Sequence, residues 1–275
     1  MSRLAKVFNN LQQARRKAVV PYVVAGDPHL ATTVPLMHSL VAAGADVIEI
    51  GVPFSDPMSE GPVIQKAHER ALAAGTTLRQ TLSLAGEFRK TNTQTPLVLM
   101  GYVNPIERMG YPVFADLCAE AGIDGVITVD LPPEEVDTVN LELKRVGIDN
   151  IFLISPTTPD ARIEMITARA SGFLYYVAVK GVTGSGALDA AEVAECLGKI
   201  RRVSELPIAV GFGIKDAASA ASIAEYADGV VVGSALVDAL AAASAAGATQ
   251  RQLEAVATTI IGDIRAGVDG VASAV

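Results

Sequence analysis

A chain of 275 residues, half of them apolar, has room for one large α/β domain or two small ones and enough hydrophobic surface for a sizeable core. Its 22 basic and 30 acidic residues leave a net charge of −8, which argues against nucleic acid as a partner because a phosphate backbone selects a basic face. A phosphorylated small molecule stays open, since local backbone amides can hold an anion whatever the global charge.

The N-terminal stretch Ser2–Arg16 sets Leu4, Val7, Phe8 and Leu11 on one helical face and predicts a helix that would plug the bottom of a barrel. It carries Arg3, Lys6, Arg15 and Arg16 and has no continuous apolar run, so it does not read as a signal peptide. Short β-branched runs follow: Val19–Val24, Val47–Ile50, Pro96–Met100, Gly125–Thr128, Ile151–Ile154, Phe173–Val179, Pro207–Val210 and Gly229–Val232. Each reads as a strand buried on both faces, as in a parallel sheet. One phrase recurs ahead of them, a helix end closed by Gly or Ala and then Asp: Gly44-Ala45-Asp46, Gly122-Ile123-Asp124, Gly147-Ile148-Asp149 and Ala227-Asp228.

Between the strands lie amphipathic stretches of helical length, such as Pro133–Val146 and Ala187–Ile200. The Ala-rich segment Ala235–Ala248 reads as helix rather than tether, because Ala is the best helix former. Near the end, Leu253, Val256, Ala257, Ile260, Ile261 and Ile264 form another helical stripe. Eight βα units in roughly 250 residues have the rhythm of a (β/α)8 TIM barrel, whereas a doubly wound sheet needs only five or six strands. The expected architecture is therefore one (β/α)8 barrel over residues 1–275, with an extra N-terminal helix and an extra C-terminal helix and no linker. Cys118 and Cys196 fall in helical stretches and read as free thiols of a reducing compartment; with no run of about 18 apolar residues, the expectation is a soluble, cytoplasmic protein.

In a barrel, chemistry sits where strands end and βα loops begin. Glu49 stands in the second apolar strand, on the opposite face from Ile48 and Ile50. A charge there costs several kcal/mol unless it is used or paired. Glu49 is thus a candidate general acid/base, or a carboxylate satisfied by a core hydroxyl or basic residue. The following loop, Pro53–Gly61, holds Asp56 and Glu60; exposed loop acids are usually solvated, yet beside Glu49 a pair of carboxylates in different environments could act as acid and base.

After the sixth strand, Lys180-Gly181-Val182-Thr183-Gly184-Ser185-Gly186 reads as a lid-type loop or a plain flexible connector. The seventh and eighth strands run into Gly211-Phe212-Gly213-Ile214-Lys215 and Gly233-Ser234-Ala235. Paired turns of this kind suit a phosphate held against a helix N-terminus, with helix-capping turns as the plain alternative. His29, His38 and His68 show no metal-ligand spacing; His38 and His68 fall in helical stretches and read as surface or packing residues. No Ser-His-Asp elbow is present.

Glu49, the run Gly51-Val52-Pro53-Phe54-Ser55-Asp56-Pro57, Gly61-Pro62 with Ile64-Gln65, Gly181-Val182-Thr183-Gly184 and Gly211-Phe212-Gly213-Ile214 closely resemble the tryptophan synthase α subunit family, from the first helix to the last. The resemblance implies a lyase without cofactor or metal that splits indole-3-glycerol phosphate into indole and glyceraldehyde 3-phosphate. It also implies a β subunit that receives the indole, in an α2β2 heterotetramer, with the segments Pro53–Glu60, Asn104–Arg108 and Pro132–Pro133 as loops facing that partner. By matching position, Glu49 would be the acid/base. Glu60, where the family normally has aspartate, would hold the indole N–H. Gly184, Gly213, Gly233 and Ser234 would hold phosphate, and Tyr22, Met100, Ile127, Tyr175 and Phe212 would line the indole pocket. Lys180 and Thr183 would belong to the lid. Three rival readings remain: a Schiff-base aldolase using Lys180, a flavin- or phosphosugar-binding barrel, and a subunit whose main task is to activate a partner.

Overall fold

A computed structural model describes residues 2–178, 190–211 and 213–272. The chain begins with α1 (Arg3–Gln13), β1 (Ala18–Val24), α2 (Thr33–Ala42) and β2 (Ile48–Gly51). Next come α3 (Pro62–Ala73), α4 (Leu78–Arg89), β3 (Leu97–Gly101), α5 (Val103–Met109), α6 (Tyr111–Glu120) and β4 (Gly125–Thr128). Then follow α7 (Asp137–Arg145), β5 (Asp149–Ile154), α8 (Asp160–Thr167), β6 (Leu174–Val177) and α9 (Ala190–Arg201). The chain continues through β7 (Ile208–Gly211), α10 (Ala217–Ala224), β8 (Gly229–Val232), α11 (Ser234–Ala245) and α12 (Gln250–Ala272).

All eight strands pair in parallel with their sequence neighbours, and β1 pairs with β8 to close the barrel. Among the described residues, one helix per strand with α1 and α12 does not exhaust the set: β2 and β3 are each followed by two helices. Asn104–Arg108, expected as loop, is the body of α5, and Pro133–Val146 becomes helical only from Asp137.

The recurring Asp has a structural explanation. Asp46 accepts the N–H of Val19, Asp124 that of Leu97, and Asp228 that of Ile208, each at 2.9 Å. In each pair the backbone N–H of the Asp returns the bond to the carbonyl of the same residue. Ser171 repeats the arrangement on Asn150 ahead of β6. Four even-numbered strands are thus locked at their N-terminal ends to the odd-numbered strand before them. Each carboxylate is also met by an arginine: Arg265 at Asp46, Arg89 at Asp124 and Arg201 at Asp228. These paired acids satisfy strand-end amides that the barrel floor would otherwise bury unbonded.

The helix α1 closes that floor. Leu4, Phe8 and Leu11 pack into the barrel interior against Val47, Ile127, Ile151 and Phe173. Ser2 caps the helix by accepting from Ala5 N–H and anchors it by donating to Asp149 at 2.9 Å. Leu4→Ala removes a side chain with no exposed surface from this plug. It is expected to cost about 2–5 kcal/mol of unfolding free energy, read as a lowered urea midpoint with the native far-ultraviolet spectrum retained.

Candidate active site at the C-terminal ends of the strands

Strand alternation decides where Glu49 points. Ile48 and Ile50 pack outward with Leu36, Met37 and Leu40 of α2. The register partners of Glu49, Tyr22 and Val98, belong to the inward-facing clusters. Glu49 therefore lies inside the barrel, with 0% of its surface exposed and, among the described residues, no hydrogen-bond partner for either carboxyl oxygen. Among the described residues neither a core hydroxyl nor a basic residue satisfies it. Burial, and secondarily the charge of Glu60, pushes its pKa up to about 8, so the group is protonated at neutral pH.

Around it stand Tyr22 of β1, Met100 of β3, Ile127 of β4 and Tyr175 of β6. Ile127 and Tyr175 pack in the barrel interior with Met100, which also touches the cluster around Tyr22. Two glycines make room for the phenols. A Cβ on Gly51 would lie 2.1 Å from Tyr22 Oη, and one on Gly211 would lie 2.1 Å from Tyr175 Oη. No side chain fits at either position without displacing a ring.

Glu60 approaches from the loop after β2. Phe54 stacks on Tyr102 with centroids 4.9 Å apart, and Ser59 N–H donates to Tyr102 Oη at 3.4 Å. Gln65 Nε2 donates to the Glu60 carbonyl at 3.0 Å, and Phe54 N–H donates to His68 Nδ1 at 3.0 Å. Held this way, Glu60 has its pKa raised to about 7 by burial. Asp56 is exposed and accepts from Ser55 Oγ, so it stays outside the group. The side chain of Met58, 80% exposed, projects from the same loop.

In the turn after β7, Gly213 adopts φ 82. Gly233 is the N-cap of α11 and carries no side-chain cap, so the first amides of that helix, with Ser234 at its start, face the barrel mouth. Lys180, Thr183, Gly184 and Phe212 lie outside the described residues. Among the described residues no cluster of His, Cys, Asp or Glu could hold a metal ion, and no helix is long and apolar enough to cross a membrane. A cavity of about 1030 Å³ at the other end of the barrel, lined by Phe8, Arg15, Lys17 and Tyr226 among others, contains none of these groups.

Sequence reading missed His68, Tyr102 and the spatial role of Gly51 and Gly211. His68, expected as a surface or packing residue, is buried and bonded to both the loop and Tyr22. No motif included it; the one available signal was its distance of one helical turn from Ile64, on the buried stripe of α3.

The fold and its inner carboxyl groups define a (β/α)8 barrel with a buried acid pair at the C-terminal ends of its strands. Residues 8–264 match the family model described as tryptophan synthase alpha chain. The tryptophan synthase alpha chain of Marinobacter nauticus is 56% identical over 241 residues, 88% of this chain and 89% of the relative. That of Dechloromonas aromatica is 53% identical over 271 residues, 98% and 99% of the two chains. The crystal structure of tryptophan synthase subunit alpha from Legionella pneumophila superposes with a TM-score of 0.90 at 45% identity, covering 98% of this chain and 99% of that one. The chain belongs to the tryptophan synthase alpha chain family.

The raised pKa of Glu49 has a thermodynamic consequence. A carboxyl that ionises near 4.5 when unfolded and near 8 when folded stabilises the fold most below the lower value, and the contribution is lost as pH rises through the upper one. Glu49→Gln removes this dependence while Glu60 still contributes in the same direction. The variant is expected to have a higher urea midpoint than the parent at about pH 9, with the gap closing towards about pH 5.

Proposed function

We propose that this chain carries out the α reaction of tryptophan biosynthesis, the retro-aldol cleavage of indole-3-glycerol phosphate to indole and glyceraldehyde 3-phosphate. The observation that carries the assignment of roles is Glu49, a buried, protonated carboxyl group with no partner among the described residues, inside the barrel of a chain that matches this family along nearly its whole length.

Glu49 delivers its proton to the indole ring carbon that bears the glycerol side chain, which turns the ring into an electron sink. Loss of the 3′-hydroxyl proton to the resulting carboxylate forms the aldehyde carbonyl. The electron pair of the breaking carbon–carbon bond then flows into the ring and restores its aromaticity, and Glu49 ends protonated as it began. Each such well-placed proton transfer contributes about 10²–10⁴ in rate. Glu60 is the acceptor for the indole N–H and favours the protonated-ring tautomer. Tyr22, Met100, Ile127, Tyr175 and Phe212 enclose the indole. Phosphate lies against the backbone at Gly184, Gly213 and Gly233 and the hydroxyl of Ser234, where the free amides of α11 favour an anion. Lys180 and Thr183 belong to the closing loop.

The whole of residues 1–275 acts as one catalytic domain beside a β subunit that takes up the indole, in an α2β2 assembly in the cytoplasm. The exposed Met58 and the loop around it suit such an interface.

Purified chain supplied with indole-3-glycerol phosphate, alone and with a β subunit, is expected to release indole in both cases and faster in the second; no indole in either would overturn the reading. Glu49→Gln is expected to lose cleavage by at least about 10³-fold with phosphate affinity nearly intact, and substantial residual turnover would remove Glu49 from its role. Glu60→Asp should retain activity, whereas Glu60→Ala should lose most of it. A fully active alanine variant would make Glu60 a bystander.

A further inference from the structure

The Tyr22 hydroxyl ends in a slot made by two neighbours. On one side residue 51 is glycine; a Cβ there would lie 2.1 Å from Oη and 2.6 Å from Cζ. On the other stands His68 of α3, 2% exposed, with its Nε2 3.3 Å from Oη. The second nitrogen of that ring serves a different segment: Phe54 N–H donates to Nδ1 at 3.0 Å. A backbone N–H can only donate, so Nδ1 is bare and the neutral ring carries its proton on Nε2. Burial acts in the same direction and holds the ring's pKa down at about 4. Nε2–H therefore donates to the Tyr22 oxygen. One imidazole is bonded at once to β1 and to the loop after β2.

That loop is gripped at both ends by one face of α3. Gln65, one turn before His68, donates from Nε2 to the Glu60 carbonyl at 3.0 Å. Between the two grips, Phe54 stacks on Tyr102 with centroids 4.9 Å apart, and Ser59 N–H donates to Tyr102 Oη at 3.4 Å. Of these contacts, the one at His68 is the one that also reaches the Tyr22 ring.

We propose that His68 is a positioning residue that couples the loop after β2 to the Tyr22 wall of the indole pocket, so that wall and loop keep one separation. This deepens the lyase reading above and rests on it for the place of the indole. In that reading the ring lies against Tyr22 while its N–H meets Glu60 on the loop, so both surfaces must be correctly spaced at the same moment. A misplacement of about 1 Å can cost about 100-fold in rate. Separate supports for wall and loop would let each drift, whereas one ring bonded to both holds them in register. A histidine that only filled space would not need a bond at each nitrogen, and His68 has both.

Three measurements on the full chain test this. Imidazole-nitrogen NMR should show the signal that disappears in His68→Leu to be a neutral ring protonated at Nε2; an Nδ1 proton or a charged ring at neutral pH overturns the proposal. Amide hydrogen exchange at Phe54 should quicken at least about tenfold in His68→Leu, and at least about threefold in Tyr22→Phe, which removes only a hydroxyl on β1. An unchanged Phe54 rate in Tyr22→Phe would mean that wall and loop are uncoupled, and overturns it. For indole release, kcat should fall about tenfold in His68→Leu with KM changed less than about threefold, and adding Tyr22→Phe should lower it little further. Losses that add in full would make the two residues independent and overturn the coupling. If His68→Leu fails to fold, the Phe54 exchange rate in Tyr22→Phe decides. Spectra and exchange rates do not depend on turnover, so a parent chain that released no indole would sink the lyase reading and leave the coupling to be judged by them.

Discussion

A carboxyl group buried inside an apolar barrel, with no partner among the described residues, is the constraint on which the rest of this structure turns. The barrel interior cannot solvate the ionised form of Glu49, and among the described residues no hydroxyl or cation compensates for that. The group persists there because it is neutral. Its neutrality in turn depends on its burial among apolar side chains, on the α1 plug that closes the floor below it, and on the second acid nearby. A charged neighbour such as lysine would turn the same carboxyl into one half of an ion pair and end its capacity to give a proton.

The two ends of the barrel treat acidic side chains in opposite ways. At the floor, Asp46, Asp124 and Asp228 are saturated with strand-end amides and arginines, and they serve to lock β1 to β2, β3 to β4 and β7 to β8. At the mouth, burial raises the pKa values of Glu49 and Glu60 towards the working range, and among the described residues nothing bonds to the Glu49 carboxyl. The chemistry is identical; the difference lies in what the adjoining helices supply. This division, stability at the N-terminal ends and reactivity at the C-terminal ends, is the general logic of the (β/α)8 barrel. Membership of the tryptophan synthase alpha chain family gives that logic a substrate with an aromatic body and an anionic tail, which suits an apolar well rimmed by free helix amides.

Much of the architecture was legible because parallel strands covered on both faces must be apolar throughout: Gly125–Thr128 and Gly229–Val232 are found with the expected ends, and the other six runs are found with an end displaced by one or two residues. The paired helices after β2 and β3 were less legible. The α5 helix is only seven residues long, too short for a periodic pattern, and Asn104–Arg108 read as loop for that reason. The recurring Asp was visible as a phrase but not as a clamp, since its partners lie one strand back in the sheet and on distant helices. Alternation set the inward direction of Glu49. Nothing local could indicate that His68, fourteen residues from Phe54 and forty-six from Tyr22, would bond to both.

By itself the sequence determined the order of strands and helices, the barrel that follows from it, and the family, because these depend on local periodicity and on short runs of specific residues. Tertiary structure alone decided which acids are protonated, which glycines are empty space for a tyrosine hydroxyl, and which nitrogen of an imidazole holds its proton. Those properties arise from desolvation and from donors and acceptors that distant segments bring within about 3 Å of one another, and closure of the barrel is what brings them there.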